Sequence, residues 1–374
     1  MIFFIIILIS YAILIFWLVY GLYKSNDFVA LIDTPKTTFS IVVPFRNEAD
    51  NLSRLLASIS NLDYPSNLFE VILVDDNSED NSIEVINAFT EKQNNAEMAI
   101  LKNTRTSPSP KKDAIRSAIA VAKYDWIITT DADCALPTTW LSIFDTFIQL
   151  KQPKLVAGPV TYEVDDSFLQ QFQLLDLYSL VGATIGSFGL GKPFMANGAN
   201  LAYMKKDFIG VNGFEGNDHI ASGDDVFLIE KMGEKFPGQL FYLKSREALV
   251  HTLPETTWKQ LWNQRIRWAS KTASYKSIFA KSTGIIVLLM NLCTVVAWGL
   301  LFSGQISVVH FIIWMLSKFI IDTPLLANTS KFFQKPIRML HLMLAYLCYP
   351  IFSTLVAVFS LFSGYQWKGR YFKQ

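Results

Sequence analysis

Two carboxylates one residue apart, Asp131 and Asp133, close the apolar run Ile127-Ile128-Thr129-Thr130 of this 374-residue chain. A β-branched run of that kind reads as a buried strand that stops at a polar site. Alternate residues of a strand share a face, so the two carboxylates are expected to converge on one object. Like charges held that close repel unless something positive lies between them, and a hard divalent cation, Mg2+ or Mn2+, suits oxygen ligands. The alternative is that Asp131-Ala132-Asp133 is only a polar turn. Two further acidic clusters weigh against it: Asp75-Asp76-Asn77-Ser78 follows another apolar run, and Gly223-Asp224-Asp225 precedes the helical pattern of Val226 to Met232. A cation held by a few carboxylates and completed by a diphosphate acts as a Lewis acid toward a departing nucleoside diphosphate. The other half of such chemistry is a base that deprotonates an acceptor hydroxyl, and Asp225 is the candidate.

The elements that must position these groups follow from periodicity. Phe39 to Pro44 is a β-branched strand, and Leu52, Leu55, Leu56 and Ile59 repeat with a helical period. Phe69 to Val74 is a second strand and Ala99 to Leu101 a short third. Lys112 to Ala122 is a helix with Ala114, Ile115, Ala118, Ile119 and Ala122 on its apolar side, and the strand ending at Asp131 comes next. Strand and helix alternating four times imply a doubly wound, mostly parallel α/β sheet. In such sheets ligands sit outside the carboxyl ends of the strands, where the clusters at 44–48, 75–78 and 131–133 all fall. Leu155 to Tyr162 reads as one further strand, and Trp258 to Ser270 as an aromatic, basic helix whose Arg265, Arg267 and Trp268 suit lipid headgroups. His251, beyond an apolar strand, reads as a structural histidine, with metal ligation as the alternative.

Hydrophobic residues make up 51% of the chain and gather at its two ends, which argues for membrane spans rather than one soluble domain. Residues 1–23 carry no charge and are long enough to cross ~30 Å of hydrocarbon as an uncleaved anchor. A catalytic domain over 36–280, a membrane region of two or three spans over 283–364 and a basic tail over 365–374 complete the expected organisation. Lys318 and Asp322, within one span, can pair at i,i+4. Lys24, Lys331, Lys335 and Arg338 place the catalytic domain in the cytoplasm and the protein in the inner or plasma membrane. Three C-terminal spans would leave Lys368, Arg370 and Lys373 outside, against the same rule; a re-entrant break at Pro350 is the alternative. A formal net charge of +1 gives no argument for nucleic acid, and three scattered cysteines exclude a disulfide framework or a thiolate metal site. The turn Pro44-Phe45-Arg46-Asn47-Glu48 lacks the glycines of a dinucleotide site, and no P-loop is present.

Val43-Pro44-x-x-Asn47-Glu48, Val74-Asp75-Asp76-Asn77-Ser78, Lys112, Asp131-Ala132-Asp133, Gly223-Asp224-Asp225 and Gln264-x-x-Arg267-Trp268, in that order, resemble the membrane-bound family 2 glycosyltransferases with the GT-A fold. The resemblance covers residues 38 to 275 and extends to the flanking spans. It implies that Pro44, Arg46, Glu48 and Asp75 or Asp76 line a nucleoside pocket, with Lys112 near it. By the same resemblance Asp131 contacts ribose or metal, Asp133 is the principal metal ligand, and Asp225 is the base, with Asp224 beside it. Gln264, Arg267 and Trp268 hold the diphosphate and the acceptor end. Many members carry Tyr where Arg46 stands, and Glu where Asp224 stands. The activity implied is inverting, metal-dependent transfer of a sugar from a UDP-linked nucleotide sugar to a lipid or glycan acceptor at the membrane. A processive polysaccharide synthase is the alternative within the class, and a silent membrane scaffold the alternative outside it.

Overall fold

The computed structural model describes residues 2–30, 34–92, 97–362 and 364–372; Met1 and Lys373 lie outside that set. In chain order the first elements are α1 (Ile2–Lys24), β1 (Phe39–Phe45), α2 (Ala49–Ser60), β2 (Phe69–Asp75), α3 (Ser82–Thr90), β3 (Glu97–Lys102), α4 (Pro110–Val121) and β4 (Trp126–Thr129). The middle of the chain adds α5 (Trp140–Lys151), β5 (Leu155–Ala157), β6 (Val160–Tyr162), α6 (Phe168–Gly189), β7 (Leu201–Met204), α7 (Lys205–Gly210), α8 (Val226–Lys235), β8 (Leu240–Tyr242), β9 (Val250–Thr252) and α9 (Trp258–Ser270). Three long helices, α10 (Ile278–Phe302), α11 (Val308–Phe333) and α12 (Met339–Phe359), precede a hairpin of β10 (Tyr365–Trp367) and β11 (Arg370–Phe372).

These elements fall into two compact units. The sheet unit, residues 26–163 and 193–253, holds a seven-stranded sheet in the order β3-β2-β1-β4-β7-β5-β8. The strands β3, β2, β1 and β4 run parallel, and β7 enters antiparallel to β4. Phe39, Ile41 and Val43 alternate with Ser40 and Val42 along β1, yet all five are buried, because helices cover both faces of a parallel sheet. The helical period read in α2 buries Leu52, Leu55, Leu56 and Ile59 against that core. Residues 155–162, expected as one strand, are two, in different sheets: Gly158 and Pro159 break the run, and the Gly158 amide donates to Asn200 O (2.7 Å).

The second unit, residues 1–25, 164–192 and 254–374, is helical apart from the final hairpin. Its helices α1, α10, α11 and α12 are long and apolar enough to cross a membrane. α1 meets α6 through Gly21, Gly186 and Gly189, where a Cβ would strike backbone atoms of the opposite helix, the small-residue packing by which helices associate in lipid. Lys318 and Asp322 pair as their spacing predicts (2.6 Å), and Tyr11 Oη donates to the same carboxylate (2.6 Å). α12 passes through Pro350 as one continuous helix, so no break stands there.

Candidate active site

The loops after β1 and β2 are knitted together at their carboxyl ends. Asn47 and Asn77 adopt positive φ (51° and 62°), which Asn tolerates better than most residues. The Asn47 amide donates to Ser78 Oγ (3.1 Å) and the Glu79 amide to Asn47 Oδ1 (2.8 Å). Arg46 is buried between the two loops; its guanidinium donates to Asp76 O (3.0 Å) and Asn77 O and pairs with Glu79 (2.8 Å). Arg46 thus braces the loop that carries Asp75 and Asp76. Asp75 accepts from the Ser78 amide (2.8 Å), which closes a local turn, while the buried Asp76 carboxylate meets Asn103 Nδ2 (2.7 Å) and Arg105 (3.5 Å). Pro44 is half-buried beside Val74, and Glu48, at the head of α2, accepts from Asn51 Nδ2 (2.7 Å).

The acidic pair Asp131 and Asp133 does not continue a strand. β4 ends at Thr129, and Asp131 O accepts from the Cys134 amide (3.2 Å), so residues 131–134 form a turn. What Asp131 meets instead is a cation shared with a distant carboxylate: Lys111 Nζ lies 2.7 Å from Asp131 and 3.3 Å from Asp224. Burial alone would lower the pKa of Lys111, but Asp131 and Asp224, with Asp225 behind them, outweigh it and hold the ammonium well above its ordinary value. Sequence reasoning missed this residue. Its neighbour Lys112, expected beside the nucleoside, is fully buried and donates to Asn217 O (2.7 Å) and Ile220 O (2.9 Å), with its amine 4.7 Å from the Phe227 ring. Lys112 therefore anchors the loop that delivers Gly223, Asp224 and Asp225. Gly223 has a φ of 84°, which favours glycine, and Asp225 opens α8 by accepting from the Val226 amide (2.7 Å). His251, on β9, lies 3.9 Å from Glu163 and exchanges backbone hydrogen bonds with Ala135.

Gly198 closes the cluster from behind. A Cβ there would stand 2.6 Å from Asp224 Oδ2 and 3.2 Å from Lys111 Nζ. The Gly198 carbonyl accepts from Thr129 Oγ1 (2.6 Å), which holds it at the end of β4. A Gly198→Ala variant is expected to fold with little change in thermal midpoint, because the displaced atoms end flexible side chains. The kcat/KM of any reaction run by this cluster should nonetheless fall by about 10²-fold, the cost of moving a functional group by an ångström. Unchanged turnover would make the position of Asp224 immaterial.

Among the described residues no three His, Cys, Asp or Glu side chains converge as a closed metal cage. The donors at hand still fit a divalent ion. They are carboxylate oxygens already gathered around one positive charge, and Mg2+ is commonly bound through one or two carboxylates with phosphates and water completing its shell.

Gln264, Arg267 and Trp268 lie on α9, in the helical unit. Gln264 Nε2 donates to Glu255 (2.7 Å), whose backbone exchanges two hydrogen bonds with Gln173 of α6 (both 2.9 Å). Arg265, expected at lipid headgroups, is instead buried: its Nε meets Asp176 Oδ2 (2.6 Å), and Tyr349 Oη donates to the other carboxylate oxygen (2.8 Å). A charge buried with an opposite partner and a hydroxyl is compensated, and removing one partner would strand the other. Arg267 and Trp268 stay half-exposed on the same helix.

A sheet of this order, with acidic clusters at the carboxyl ends of β2 and β4, is that of a GT-A glycosyltransferase. The chain belongs to glycosyl transferase family 21, whose model matches residues 2–373; the family 2 resemblance of its motifs holds at the level of a GT-A enzyme with apolar flanking helices. It is 27% identical over 236 residues to a poly-beta-1,6-N-acetyl-D-glucosamine synthase of Staphylococcus epidermidis, covering 62% of this chain and 53% of that one. It is 26% identical over 238 residues to YdaM, a probable glycosyltransferase of Bacillus subtilis (strain 168), covering 62% and 54%. The chain thus spans about half the length of these curated relatives. Among solved structures, a mannosyltransferase from Pyrobaculum calidifontis, in complex with GDP-Man and Mn2+, superimposes with a TM-score of 0.64 at 16% identity, over 96% of this chain and 97% of the other.

Proposed function

We propose that this protein transfers a sugar from a nucleotide-sugar donor to a lipid acceptor at the membrane, with inversion and with the help of Mg2+ or Mn2+. The observation that carries this reading is the Lys111 bridge, which unites Asp131 with Asp224, 93 positions further on and next to Asp225, in one acidic site. Asp133 and Asp131 would hold the metal, whose Lewis acidity stabilises charge on the departing diphosphate. Asp76, with Arg105 and Asn103, lines the nucleoside end, where Pro44, Arg46, Glu48 and Asp75 shape the loops. Asp225 would accept the proton of the acceptor hydroxyl; Asp224 is less suited, because its carboxylate already faces the Lys111 ammonium. The roles of Gln264, Arg267 and Trp268 toward diphosphate and acceptor rest on their motif.

The Pyrobaculum mannosyltransferase structure, a complex with GDP-Man and Mn2+, supports a metal and a nucleotide sugar here, with UDP and GDP donors both to be tried. The basic residues Lys24, Lys331, Lys335 and Arg338 support a sheet unit on the cytoplasmic face of the inner or plasma membrane. The name of the staphylococcal relative favours a second reading, repeated addition to a growing polysaccharide. The test is turnover by the purified full chain across a panel of UDP- and GDP-sugars with Mg2+ or Mn2+, with and without polyprenyl-phosphate and glycolipid acceptors. A product that stops at one sugar supports the first reading and a ladder of products the second. No turnover with any donor would leave a silent scaffold.

A further inference from the structure

Three spans after α9 would put the C-terminal hairpin and α9 on opposite faces of the bilayer. Their contacts do not allow it. β10 packs on α9 itself. α12, between them, is tied to α9 and α6 along its whole length. At its start Arg338 pairs with Asp166, just before α6, and His341 stacks on Phe168 (6.3 Å, 17°). At its middle Tyr349 donates to Asp176, and Phe352 meets Phe172 (5.3 Å) and Trp262 (5.9 Å). At its end Phe359 meets Trp262 again (5.6 Å). Trp258, at the head of α9, touches both Phe168 and Phe172 (6.0 and 5.3 Å), so α6 and α9 form one support.

A 21-residue helix is ~31 Å long, and if α12 crossed the bilayer Phe359 would lie on the face opposite to Arg338. α9, alongside it, would then be drawn through hydrocarbon with Lys259, Gln260, Asn263, Gln264 and Arg267, charges and amides that membranes admit only at high cost. We infer that α12 lies along the membrane face from which α9 begins, and that the chain crosses through α1, α10 and α11 only. Tyr346 is then the residue that reaches inward: its hydroxyl meets Met315 O (3.3 Å), and Lys318 lies over its ring (5.1 Å).

The arrangement defines a lipid-facing surface. Leu340, Leu344, Leu347, Ile351, Leu355 and Val358 are exposed at spacings of three and four, one stripe of α12 opposite the side that carries Leu342, Ala345 and Tyr349. Its partner is the acyl layer just below the headgroups, continuous with the lipid around α10, on which α12 packs. Lys368 and Arg370 return to the side of Lys331, Lys335 and Arg338, as the bias of basic residues toward one face requires.

Single cysteines test this in the full chain expressed in cells, with Cys348, the one exposed native thiol, replaced by Ala; Cys134 and Cys293 are buried, and burial pushes the Cys134 thiol well up. Ser66→Cys reports the sheet unit, Gln305→Cys the loop between α10 and α11, and Tyr371→Cys the hairpin. With a membrane-impermeant thiol reagent, before and after permeabilisation, Tyr371→Cys is expected to label as Ser66→Cys does and oppositely to Gln305→Cys. Labelling of Tyr371→Cys together with Gln305→Cys makes α12 a span and overturns the inference. Identical labelling of Ser66→Cys and Gln305→Cys means that α10 does not cross, which overturns it as well, whatever donor the enzyme uses.

Discussion

An Asp133→Ala variant is expected to lose sugar transfer by about 10²- to 10³-fold, matching several kcal/mol of Lewis-acid stabilisation at ~1.4 kcal/mol per tenfold. Asp133 sits in the half-exposed turn after β4, where Ala is tolerated, and its removal relieves repulsion with Asp131. The thermal midpoint without metal should therefore stay the same or rise. Donor affinity should weaken together with turnover, and added Mn2+ should no longer stabilise the protein. Full activity in this variant, with unaltered dependence on Mg2+ or Mn2+, would remove Asp133 from the metal site. The folded state can be checked by the cooperativity of thermal unfolding, so a loss of activity is separable from a loss of structure.

Asp225→Asn probes the proton-transfer half of the same site, and the expected result has the opposite signature. Asn retains the oxygen that accepts from the Val226 amide (2.7 Å), and it is as good an opening residue for α8 as Asp. What it lacks is basicity. Transfer should fall by the ~10²- to 10⁴-fold typical of a positioned general base, while the donor dissociation constant changes little. The pair of variants thus splits the site: Asp133→Ala impairs binding and chemistry, Asp225→Asn chemistry alone. If Asp225→Asn keeps its transfer rate, or loses donor binding along with it, the base lies elsewhere, and Asp224, freed of Lys111 by donor or metal, becomes the residue to test.

The alternation of β-branched runs and helical periods from Phe39 to Asp131 was sufficient for the parallel half of the sheet and for the position of the acidic clusters at 75–78 and 131–133 at or just beyond the carboxyl ends of two strands. That follows because burial on both faces and the 3.6-residue repeat are properties of neighbouring residues. The long apolar helices are legible for the same reason, since length and hydropathy are read from neighbouring residues, although these do not decide which of the helices crosses. Turn chemistry was half legible. Asp75 closes a local turn through the Ser78 amide, and residues 131–134 form the polar turn that stood as the alternative for Asp131-Ala132-Asp133, because an Asp after a β-branched run looks alike at a strand's end and in a turn.

What the tertiary structure alone decided are the partners. Lys111 and Lys112 are adjacent on α4 and indistinguishable by pattern, yet one bridges Asp131 and Asp224 while the other anchors residues 217–220, because the direction of each amine depends on how α4 is rotated against the sheet. Arg265 reads as a headgroup contact until Asp176 and Tyr349 are seen beside it. The same holds for Gly198, whose missing Cβ matters only because β7 inserts antiparallel to β4 and brings that loop onto the acidic cluster. Each of these contacts joins residues that lie 20 to 173 positions apart in the chain. Hydrophobic period and turn propensity act over a few residues and fix where an element begins and ends; they carry no information about which elements become neighbours, which is set by the order and direction of strands and by helix packing across the whole chain.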